Sequence, residues 1–312
     1  MRHIFIINPV AGKGKTQPLI EKDIHETLKH ENADYEIYFT KARGDARVFV
    51  QERCGDMIPT VFYACGGDGT LHEVVNAALN FEHARVGVIP CGSGNDFVKN
   101  FENMHLFQNI GSQIRGNDVE LDLVKAGREY AVSVCNVGFD ADAAFNMHKF
   151  KKIPFISGSG CYILSVLYCL MKKLGKNLSI EADGEHFEGT YLMGVAANGH
   201  SYGGGYKCAP EAFINDGIID MCLVRKLSRL KILSLIGSYK SGTHLENEKL
   251  KSYITYKKCR NVTVKSGEPI NLCIDGENYV SGDISFKAVP GILRFNLPEG
   301  VKVQGSETVK AI

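Results

Sequence analysis

The chain has 312 residues, of which 44% are hydrophobic and 23% are charged, and its 36 basic side chains nearly balance its 35 acidic ones. This length is sufficient for two domains with substantial cores. A formal net charge of +1 excludes the strongly basic surface of a general nucleic-acid-binding protein, so no nucleic-acid partner is expected.

Ten cysteines are scattered along the chain, with no Cys-x-x-Cys pair and no histidine at zinc-like spacing. This pattern predicts reduced, mostly buried thiols. The apolar run Ile4–Ile7 is too short for a signal peptide. The longest apolar stretch, Cys161–Met171, is about half the length of a membrane-spanning helix. We therefore expect a cytoplasmic protein.

The first part of the chain has the spacing of β-α units that feed a parallel sheet. A helix is predicted from Leu19 to Leu28, and Thr70 is expected to cap a second helix that runs through Leu79. The apolar, β-branched runs that predict the strands begin near Ile4, Tyr35, Thr60 and Val86.

After about Leu123 the pattern changes to short alternating segments separated by Gly and Asn turns, which predicts an antiparallel β domain. Two helices are expected to interrupt it, one within Asp140–Lys173 and one over Ser228–Tyr239. The tail from Gly291 to Val303 predicts one more strand. The alternating segments are Tyr130–Val137, Leu192–Ala196, Ile218–Val224, Val262–Lys265 and Ile270–Ile274.

The most informative motif is Gly66-Gly67-Asp68-Gly69-Thr70, which directly follows an apolar run. Glycine lets a backbone approach a phosphate closely, but a bare carboxylate beside a triphosphate is repulsive. A divalent cation would remove this conflict, so Asp68 is interpreted as a direct or water-mediated anchor for Mg·ATP. The alternative is a tight strand-to-helix turn in which Asp68 is a helix cap.

Two further glycine-rich phrases occupy equivalent places after apolar runs. In Asn8–Lys15, two glycines alternate with Lys13 and Lys15, either of which can offer a charge to a transferring phosphoryl group. The alternative is a connector with solvated lysines. In Gly92–Asp96 the polar side chains either contact the nucleotide or cap a helix.

Taken in order, these motifs resemble those of the diacylglycerol kinase catalytic-domain family, in particular bacterial lipid kinases. The resemblance implies ATP-dependent phosphorylation of a lipid hydroxyl. It also implies an N-terminal Rossmann-like α/β nucleotide domain, residues 1–124 completed by the tail 291–312, and a C-terminal antiparallel β-sandwich domain for the lipid, residues 125–290. The motifs are Asn8-Pro9…Gly12, Gly66-Gly67-Asp68-Gly69-Thr70, Gly92-Ser93-Gly94-Asn95-Asp96, Asn198-Gly199…Gly203-Gly204-Gly205, Pro210-Glu211-Ala212…Asp216-Gly217…Asp220 and Asp275-Gly276-Glu277.

The resemblance also assigns ligands. Asp216 would give its side chain, and Phe213 and Ile218 their backbone carbonyls, to a structural Mg²⁺ ion, for which hard oxygen ligands are suitable. Asp122 matches another acidic position of the active-site network, although its spacing fits a solvated strand-edge carboxylate equally well. The positions expected to hold ATP are Asn8, Pro9, Val10, Ala11, Gly12, Lys13, Thr40, Gly66, Gly67, Asp68, Gly69, Thr70, Ser93, Asn95 and Asp96.

The phrase Asp275-Gly276-Glu277 follows an apolar run and, without the resemblance, is the signal of a hairpin turn. In the family that it resembles, the phrase supplies a carboxylate that can accept the proton of the lipid hydroxyl. We therefore predict Glu277 as the catalytic base, with Asp275 as the second choice, and include Asp68 in the catalytic set.

A segment from Phe155 to Leu174 joins apolar residues to basic flanks at Lys149, Lys151, Lys152, Lys172, Lys173 and Lys176. It predicts either an interfacial element that brings the protein transiently to the membrane surface, where its lipid substrate lies, or a core-packed helix with solvated ends. A homodimer is compatible with the sequence. Two alternative functions are an NAD kinase-like phosphotransferase and a non-catalytic regulator that binds a nucleotide or a lipid.

Overall fold

The fold is described from a computed structural model, which covers residues 1–14, 17–31, 33–150 and 158–305, without the side chains of Lys13, Gly158 and Ser159. The chain divides into two units. Unit 1 contains Met1–Leu123, Ile214–Asp216 and the C-terminal segment from Pro290, and unit 2 contains Val124–Phe213 and Gly217–Val289.

Strands and helices are numbered in chain order. The strands are β1 (Arg2–Ile7), β2 (Tyr35–Phe39), β3 (Thr60–Gly66), β4 (Ala84–Pro90), β5 (Phe101–Glu102), β6 (Asn117–Ala126), β7 (Glu129–Ala131), β8 (Val134–Gly138), β9 (Lys176–Ala182), β10 (Glu185–Ala197), β11 (Ile219–Arg225), β12 (Ile254–Cys259), β13 (Asn261–Ile274), β14 (Glu277–Leu297) and β15 (Lys302–Val303). The α-helices are α1 (Gln17–Glu31), α2 (Asp45–Cys54), α3 (Asp68–Ala78), α4 (Ile110–Ile114), α5 (Phe139–Asn146), α6 (Gly158–Leu170) and α7 (Arg229–Ser241). Short 3-10 helices cover Ala11–Gly14, Phe97–Asn100, Met104–Gln108, Met147–Lys149 and Lys251–Tyr253.

Unit 1 is the predicted α/β domain. Its strands lie parallel in the order β2-β1-β3-β4, with β1 paired to both β2 and β3. Helix α1 buries Ile24 and Leu28, four residues apart on one face, against the sheet residues Phe5 and Val61. The predicted strands and the predicted helix over Leu19–Leu28 are confirmed.

The predicted start of the second helix is wrong. Helix α3 begins at Asp68 with Gly67 as its N-cap, so Thr70 lies inside the first turn. The Thr70 hydroxyl accepts a hydrogen bond from the Asn8 side chain at 3.2 Å instead of capping the helix. The local sequence pattern could not reveal this hydrogen bond, because Asn8 belongs to another loop.

Unit 2 is the predicted antiparallel β domain, a β-sandwich. The central strand β8 pairs with β10 on one side and with β13 on the other. The remaining parts of β10 and β13 both pair with β9, so the two long strands each contribute to two regions of the sandwich. A register shift between Tyr191 and Met193 separates the two parts of β10.

Alternating residues of these strands build two cores. On β11, Met221 and Leu223 pack into the interior of the sandwich. Their neighbours Cys222 and Val224 pack on the opposite face, which α5, α6 and α7 cover. All ten cysteines are buried and free of disulfide bonds, as their scattering predicts.

Two predicted strands have different limits. The run Tyr130–Val137 is divided into β7 and β8, because the backbone N–H groups of Val132 and Ser133 donate to the Asp275 carboxylate rather than to a strand. The tail strand from Gly291 is the second part of β14, which continues through Pro290 to Leu297. The short strand β15 follows it and pairs with β5.

The buried His244 should make the free energy of unfolding of the protein depend on pH. Its ring packs against that of Tyr239 at an interplanar angle of 45°, with 4.3 Å between the ring centroids, and burial lowers its pKa from 6.5 to about 4. The unfolded chain therefore takes up a proton first as the pH falls below 6.5, and stability is lost. The variant His244→Phe keeps an aromatic ring at this place but has no group that takes up a proton. Between pH 7 and pH 4.5, its free energy of unfolding should fall by about 2–3 kcal/mol less than that of the wild type. Urea unfolding at both pH values measures this, and equal losses would contradict it.

Candidate active site

The glycine-rich loops of unit 1 meet at one edge of the parallel sheet. Strands β1, β3 and β4 are adjacent and parallel, and the three loops begin where these strands end. The carboxyl edge of such a sheet is where open α/β folds bind ligands. The helix α3 and two short 3-10 helices also begin here, and helix N-termini favour anions.

Backbone and side-chain hydrogen bonds connect the first two loops. The Asn8 amide donates to Thr70 Oγ1, and its carbonyl oxygen accepts from the Val10 N–H at 3.1 Å. The backbone N–H of Asn8 donates to the carbonyl of Cys65 at 3.0 Å, and Thr40 N–H donates to Ile7 at 2.9 Å. The predicted positions Asn8, Thr40 and Thr70 therefore lie together.

Asp68 connects the second loop to the third. Its Oδ1 accepts the backbone N–H of Asp96 at 2.7 Å, and the N-cap of its own helix is Gly67. Asp96 is buried and forms an ion pair with Lys99. The alternative that Asp68 is a helix cap is therefore not what the structure describes. Its carboxylate holds two phosphate-type loops at a fixed spacing.

Glycine is required at this edge because the second and third loops approach each other closely. A Cβ on Gly92 would lie 2.4 Å from the Cα of Gly67, and a Cβ on Gly66 would lie 2.3 Å from Thr70 Oγ1. Real Cβ atoms do not approach other atoms so closely, so any side chain would separate the loops. The loops meet as bare backbone, which is the arrangement that N–H groups need to contact an anion.

We predict that Gly92→Ala destabilises the protein by about 1–3 kcal/mol, since overpacking of a close contact costs this much. The control is Gly237→Ala in α7, where a Cβ meets no atom within 4 Å, and Ala in a helix interior is expected to stabilise by about 0.5–1 kcal/mol. Urea unfolding measures both variants. Equal stabilities of Gly92→Ala and the wild type would show that the loops are not in contact.

The other predicted nucleotide positions lie on the same loops. Pro9, Ala11 and Gly12 are half-buried, whereas Val10 and Ser93 are exposed. Asn95 closes its own turn, since its side chain exchanges two hydrogen bonds with the Gly92 backbone. Asp96 is the N-cap of the following short helix but makes no side-chain cap bond to it. The Lys13 side chain and all of Lys15 lie outside the described residues.

Asp122 is buried in unit 1, so it is not the solvated strand-edge carboxylate of the alternative prediction. Its Oδ1 accepts the Gly291 N–H at 2.8 Å, and its own N–H donates to the carbonyl of Ile214 at 2.8 Å. The latter bond fixes the loop that contains Phe213, Asp216 and Ile218, the residues predicted to bind a structural metal ion. Asp216 is exposed, and Gly217 supplies a left-handed turn with φ of 74°.

Among the residues that the structure describes, no three His, Cys, Asp or Glu side chains cluster with metal-binding geometry. The predicted structural site does not need such a cluster, because it uses one carboxylate and two backbone carbonyls. Its donor set consists of hard oxygen atoms, which fit Mg²⁺.

Asp275 is the first residue of a two-residue hairpin turn, and Glu277 directly follows that turn. Residues Ile274 and Glu277 are paired across β13 and β14, and Asp275 has a φ of 48°. The Asp275 carboxylate accepts three backbone N–H groups, from Val132, Ser133 and Val134, at 2.8–3.1 Å. A carboxylate used in this way holds the β7–β8 connection in place. Of the two predicted bases, the half-buried Glu277 therefore has the more suitable surroundings.

Sequence reasoning missed one carboxylate in unit 2. Asp140, in the first turn of α5, is buried and receives a short hydrogen bond from the Tyr202 hydroxyl. Burial raises its pKa to about 6. The signal available in the sequence was the pair Asp140 and Asp142 directly after an apolar run, where acidic residues need a reason to be buried.

The predicted interfacial segment falls partly on α6. Its residues Cys161, Ser165 and Cys169 are buried, whereas Ile163 and Leu167 on its other face are about half exposed. Basic side chains flank this helix, and Lys149 before it and Lys172 after it both lie over the Tyr168 ring. The helix thus has one core-packed face and one exposed apolar face. Phe155, Lys151 and Lys152 lie outside the described residues.

Within the described ranges, no helix has both the length and the apolar character needed to cross a membrane.

Two family models match consecutive parts of the chain. Residues 2–126 match the family model of the diacylglycerol kinase catalytic domain. Residues 133–296 match that of the YegS C-terminal NAD kinase beta sandwich-like domain.

Relatives with the name diacylglycerol kinase align over most of the chain. The protein of Staphylococcus carnosus strain TM300 is 28% identical over 280 residues, which is 87% of each chain. That of Bacillus subtilis strain 168 is 26% identical over 278 residues, 87% of this chain and 88% of the relative. That of Staphylococcus aureus strain JH9 is 29% identical over 280 residues, 87% of this chain and 84% of the relative.

Two solved structures from Bacillus anthracis strain Sterne have the same fold. One matches with a TM-score of 0.75 and 22% identity over 96% of this chain and 95% of its own. Another, described as a diacylglycerol kinase, matches with a TM-score of 0.67 and 18% identity over 96% and 97%.

An α/β catalytic domain followed by a β-sandwich domain, with glycine-rich loops at the carboxyl edge of its parallel sheet, defines this chain as a kinase of the lipid kinase class. The chain belongs to the diacylglycerol kinase catalytic-domain family.

Proposed function

We propose that this protein transfers the γ-phosphoryl group of Mg·ATP to a hydroxyl of diacylglycerol or of a related membrane lipid alcohol. The observation that carries the proposal is the meeting of three glycine-rich loops at one sheet edge, with the Asp68 carboxylate bound to the third loop. Family membership supports the kinase class, and the names of the relatives support the lipid acceptor.

In this proposal the backbone N–H groups of the loops from Asn8, Gly66 and Gly92 hold the phosphates. The close contact of Gly67 with Gly92 keeps these groups at a fixed spacing, so little reorganisation is needed when the nucleotide binds. Thr40, which lies beside the first loop, and Asn8, which begins it, would orient the rest of the nucleotide.

The donor set at this edge fits Mg²⁺, since Asp68 offers a half-buried carboxylate beside two glycines. When bound, Mg²⁺ supplies charge neutralisation at the phosphate oxygens. Asp68 would hold the ion, and Asp96, paired to Lys99, would keep the loop in place. Phe213, Asp216 and Ile218 would hold a second, structural Mg²⁺ ion through oxygen atoms.

Phosphoryl transfer then needs a positioned acceptor and a proton acceptor. We propose that Glu277 takes the proton of the lipid hydroxyl as its oxygen attacks the γ-phosphorus. The bond between the γ-phosphorus and the β,γ-bridging oxygen breaks, and ADP leaves with that oxygen. Asp275 would act only through the backbone that it fixes.

We further propose that the lipid is met at the cytoplasmic membrane surface, through a transient contact. The exposed apolar side chains of Ile163, Leu167 and Met171 and the neighbouring Lys172 and Lys173 are a suitable combination, because apolar and basic groups together bind anionic lipid surfaces.

The test of this function uses ATP labelled in the γ-phosphate, Mg²⁺ and mixed micelles that contain one candidate lipid at a time, beside NAD as a competing acceptor. Label should enter a lipid and not NAD. Label in NAD alone would make the protein an NAD kinase-like enzyme, and no label in any acceptor would favour a regulator that binds without catalysis.

A further inference from the structure

One lysine of unit 2 connects the two ends of the loop that is proposed to hold a structural Mg²⁺ ion. The Nζ atom of Lys258 donates to the backbone carbonyl of Glu211 at 2.8 Å and lies 2.9 Å from the Asp220 carboxylate. Glu211 comes two residues before Phe213, and Asp220 comes two residues after Ile218. The ammonium group therefore joins the two stems of the loop whose carbonyls, at Phe213 and Ile218, are the proposed ligands.

The strand register places the lysine at this point. Lys258 on β12 and Asp220 on β11 are directly opposite each other in an antiparallel pair. The ammonium group also lies 5.8 Å from the centre of the Phe213 ring, within the range in which a cation is attracted to an aromatic face. Both stems, the proposed carbonyl ligands and Lys258 belong to unit 2.

The carboxylate of this ion pair has a fixed orientation. Asp220 is completely buried, and its Oδ1 accepts a hydrogen bond from the Tyr256 hydroxyl at 2.6 Å. Burial and the nearby Asp220 charge raise the pKa of Tyr256, so its hydroxyl remains a donor. Tyr256 and Lys258 thus hold the carboxylate from two directions, and the carboxylate in turn holds the ammonium group.

The ion pair is more informative about geometry than about stability. A buried ion pair adds little to the net stability of a fold, because the cost of removing two charges from water offsets their attraction. Here the ammonium group of the pair also binds the Glu211 carbonyl. The pair of Asp220 and Lys258 therefore sets the distance between the two stems of the loop.

The proposed metal loop needs such a restraint. Mg²⁺ demands nearly ideal octahedral geometry, so backbone carbonyls hold it well only where the backbone is already in place. Gly217, between the proposed ligands Asp216 and Ile218, has a φ of 74°. Glycine is conformationally permissive, so the loop itself does not fix the two carbonyls.

On the basis of the structural Mg²⁺ site in the proposed function, we infer that Lys258 is a positioning residue for that site. Its ammonium group holds the two stems together, so that the carbonyls of Phe213 and Ile218 are in place before the ion binds. Because Lys258 is itself a cation, its charge alone can only weaken the binding of Mg²⁺. The positioning effect and the charge effect of Lys258 therefore have opposite signs.

The experiment measures Mg²⁺ binding by titration calorimetry with MgCl₂ alone, on the full chain freed of metal with EDTA and without nucleotide. The structural site is identified as the binding event that Asp216→Ala removes. We expect Lys258→Met to raise the Kd of this event by about 10–100-fold, the usual effect of removing a group that orients metal ligands. If Lys258 acted through its charge, the same variant would lower the Kd.

Lys257→Met is the matched control. Lys257 is the neighbouring residue of β12, its side chain points to the opposite face of the strand, and it forms an ion pair with Glu185. Loss of this ion pair should leave the Kd unchanged.

A double variant covers the case that Lys258→Met does not fold. Asp220→Asn/Lys258→Met removes both charges of the buried pair together, so no buried charge is left without a partner and the net charge is conserved. Its Kd should rise by a similar factor. A Kd equal to or below that of the wild type in either folded variant would overturn the inference, as would an equal rise in Lys257→Met.

The proposed function can fail separately. If the wild type transfers label from ATP to a lipid but shows no Mg²⁺-binding event that Asp216→Ala removes, the protein is a kinase and the inference about Lys258 is wrong. If the Kd values change as expected but no acceptor is labelled, Lys258 positions the metal loop and the kinase proposal is wrong.

Discussion

Replacement of Glu277 by Gln is expected to lower kcat for lipid phosphorylation by about 10²–10⁴-fold, the usual contribution of a general base. The amide has the same shape but cannot accept the proton of the attacking hydroxyl. The KM for Mg·ATP should change little, because Glu277 is not among the residues proposed to hold the nucleotide. Steady-state kinetics with the preferred lipid measures both parameters.

The matched control is Glu268→Gln, an exposed glutamate on the adjacent strand β13, which should keep wild-type kinetics. Asp275→Asn gives a second comparison. It weakens a carboxylate that accepts three backbone N–H groups, so it should lower the stability of the protein more than Glu277→Gln does. If Glu277→Gln retained full kcat, Glu277 would not be the base.

Replacement of Asp68 by Asn should lower turnover with Mg·ATP by about 100-fold or more, since the loss of a metal anchor removes several kcal/mol of charge stabilisation. The variant keeps an acceptor oxygen for the Asp96 N–H and loses only the charge. Asp68→Ala loses both, so it should also lower the thermal stability. Kinetics at several Mg²⁺ concentrations, together with thermal unfolding, separates the two effects.

Asp23→Asn, an exposed acid on α1 of the same unit, is the control for general charge effects and should behave as the wild type. Normal turnover of a folded Asp68→Asn protein would mean that Asp68 only connects the second and third loops. In that case the charge in the central glycine cluster would have no role in the reaction.

The fold was predictable where local periodicity decides it. The parallel strands from Ile4, Thr60 and Val86 and the antiparallel strands of unit 2 follow from apolar runs that occur at fixed intervals. The limits of the elements were less predictable, because distant partners set them. Thr70 is bonded to Asn8, and the run Tyr130–Val137 is divided by bonds to Asp275.

The candidate site was also predictable only in part. The glycine-rich loops were visible in the sequence, because each follows a strand-like run and parallel strands place their ends together. Glu277 was ranked before Asp275 only through the family resemblance, since the three N–H donors to Asp275 are more than 140 residues away along the chain. Asp140 was missed because its apolar surroundings come from three helices and a distant loop.

The most direct test of the proposed phosphoryl transfer compares ATP labelled at the γ-phosphate with ATP labelled at the α-phosphate. Each is incubated with the wild-type protein and diacylglycerol micelles, with Mg²⁺ or with EDTA, and the lipid phase is extracted and counted. Our account predicts label in the lipid only from the γ-position and only with Mg²⁺. Lipid label from the α-position, or unchanged γ-transfer in EDTA, would contradict it.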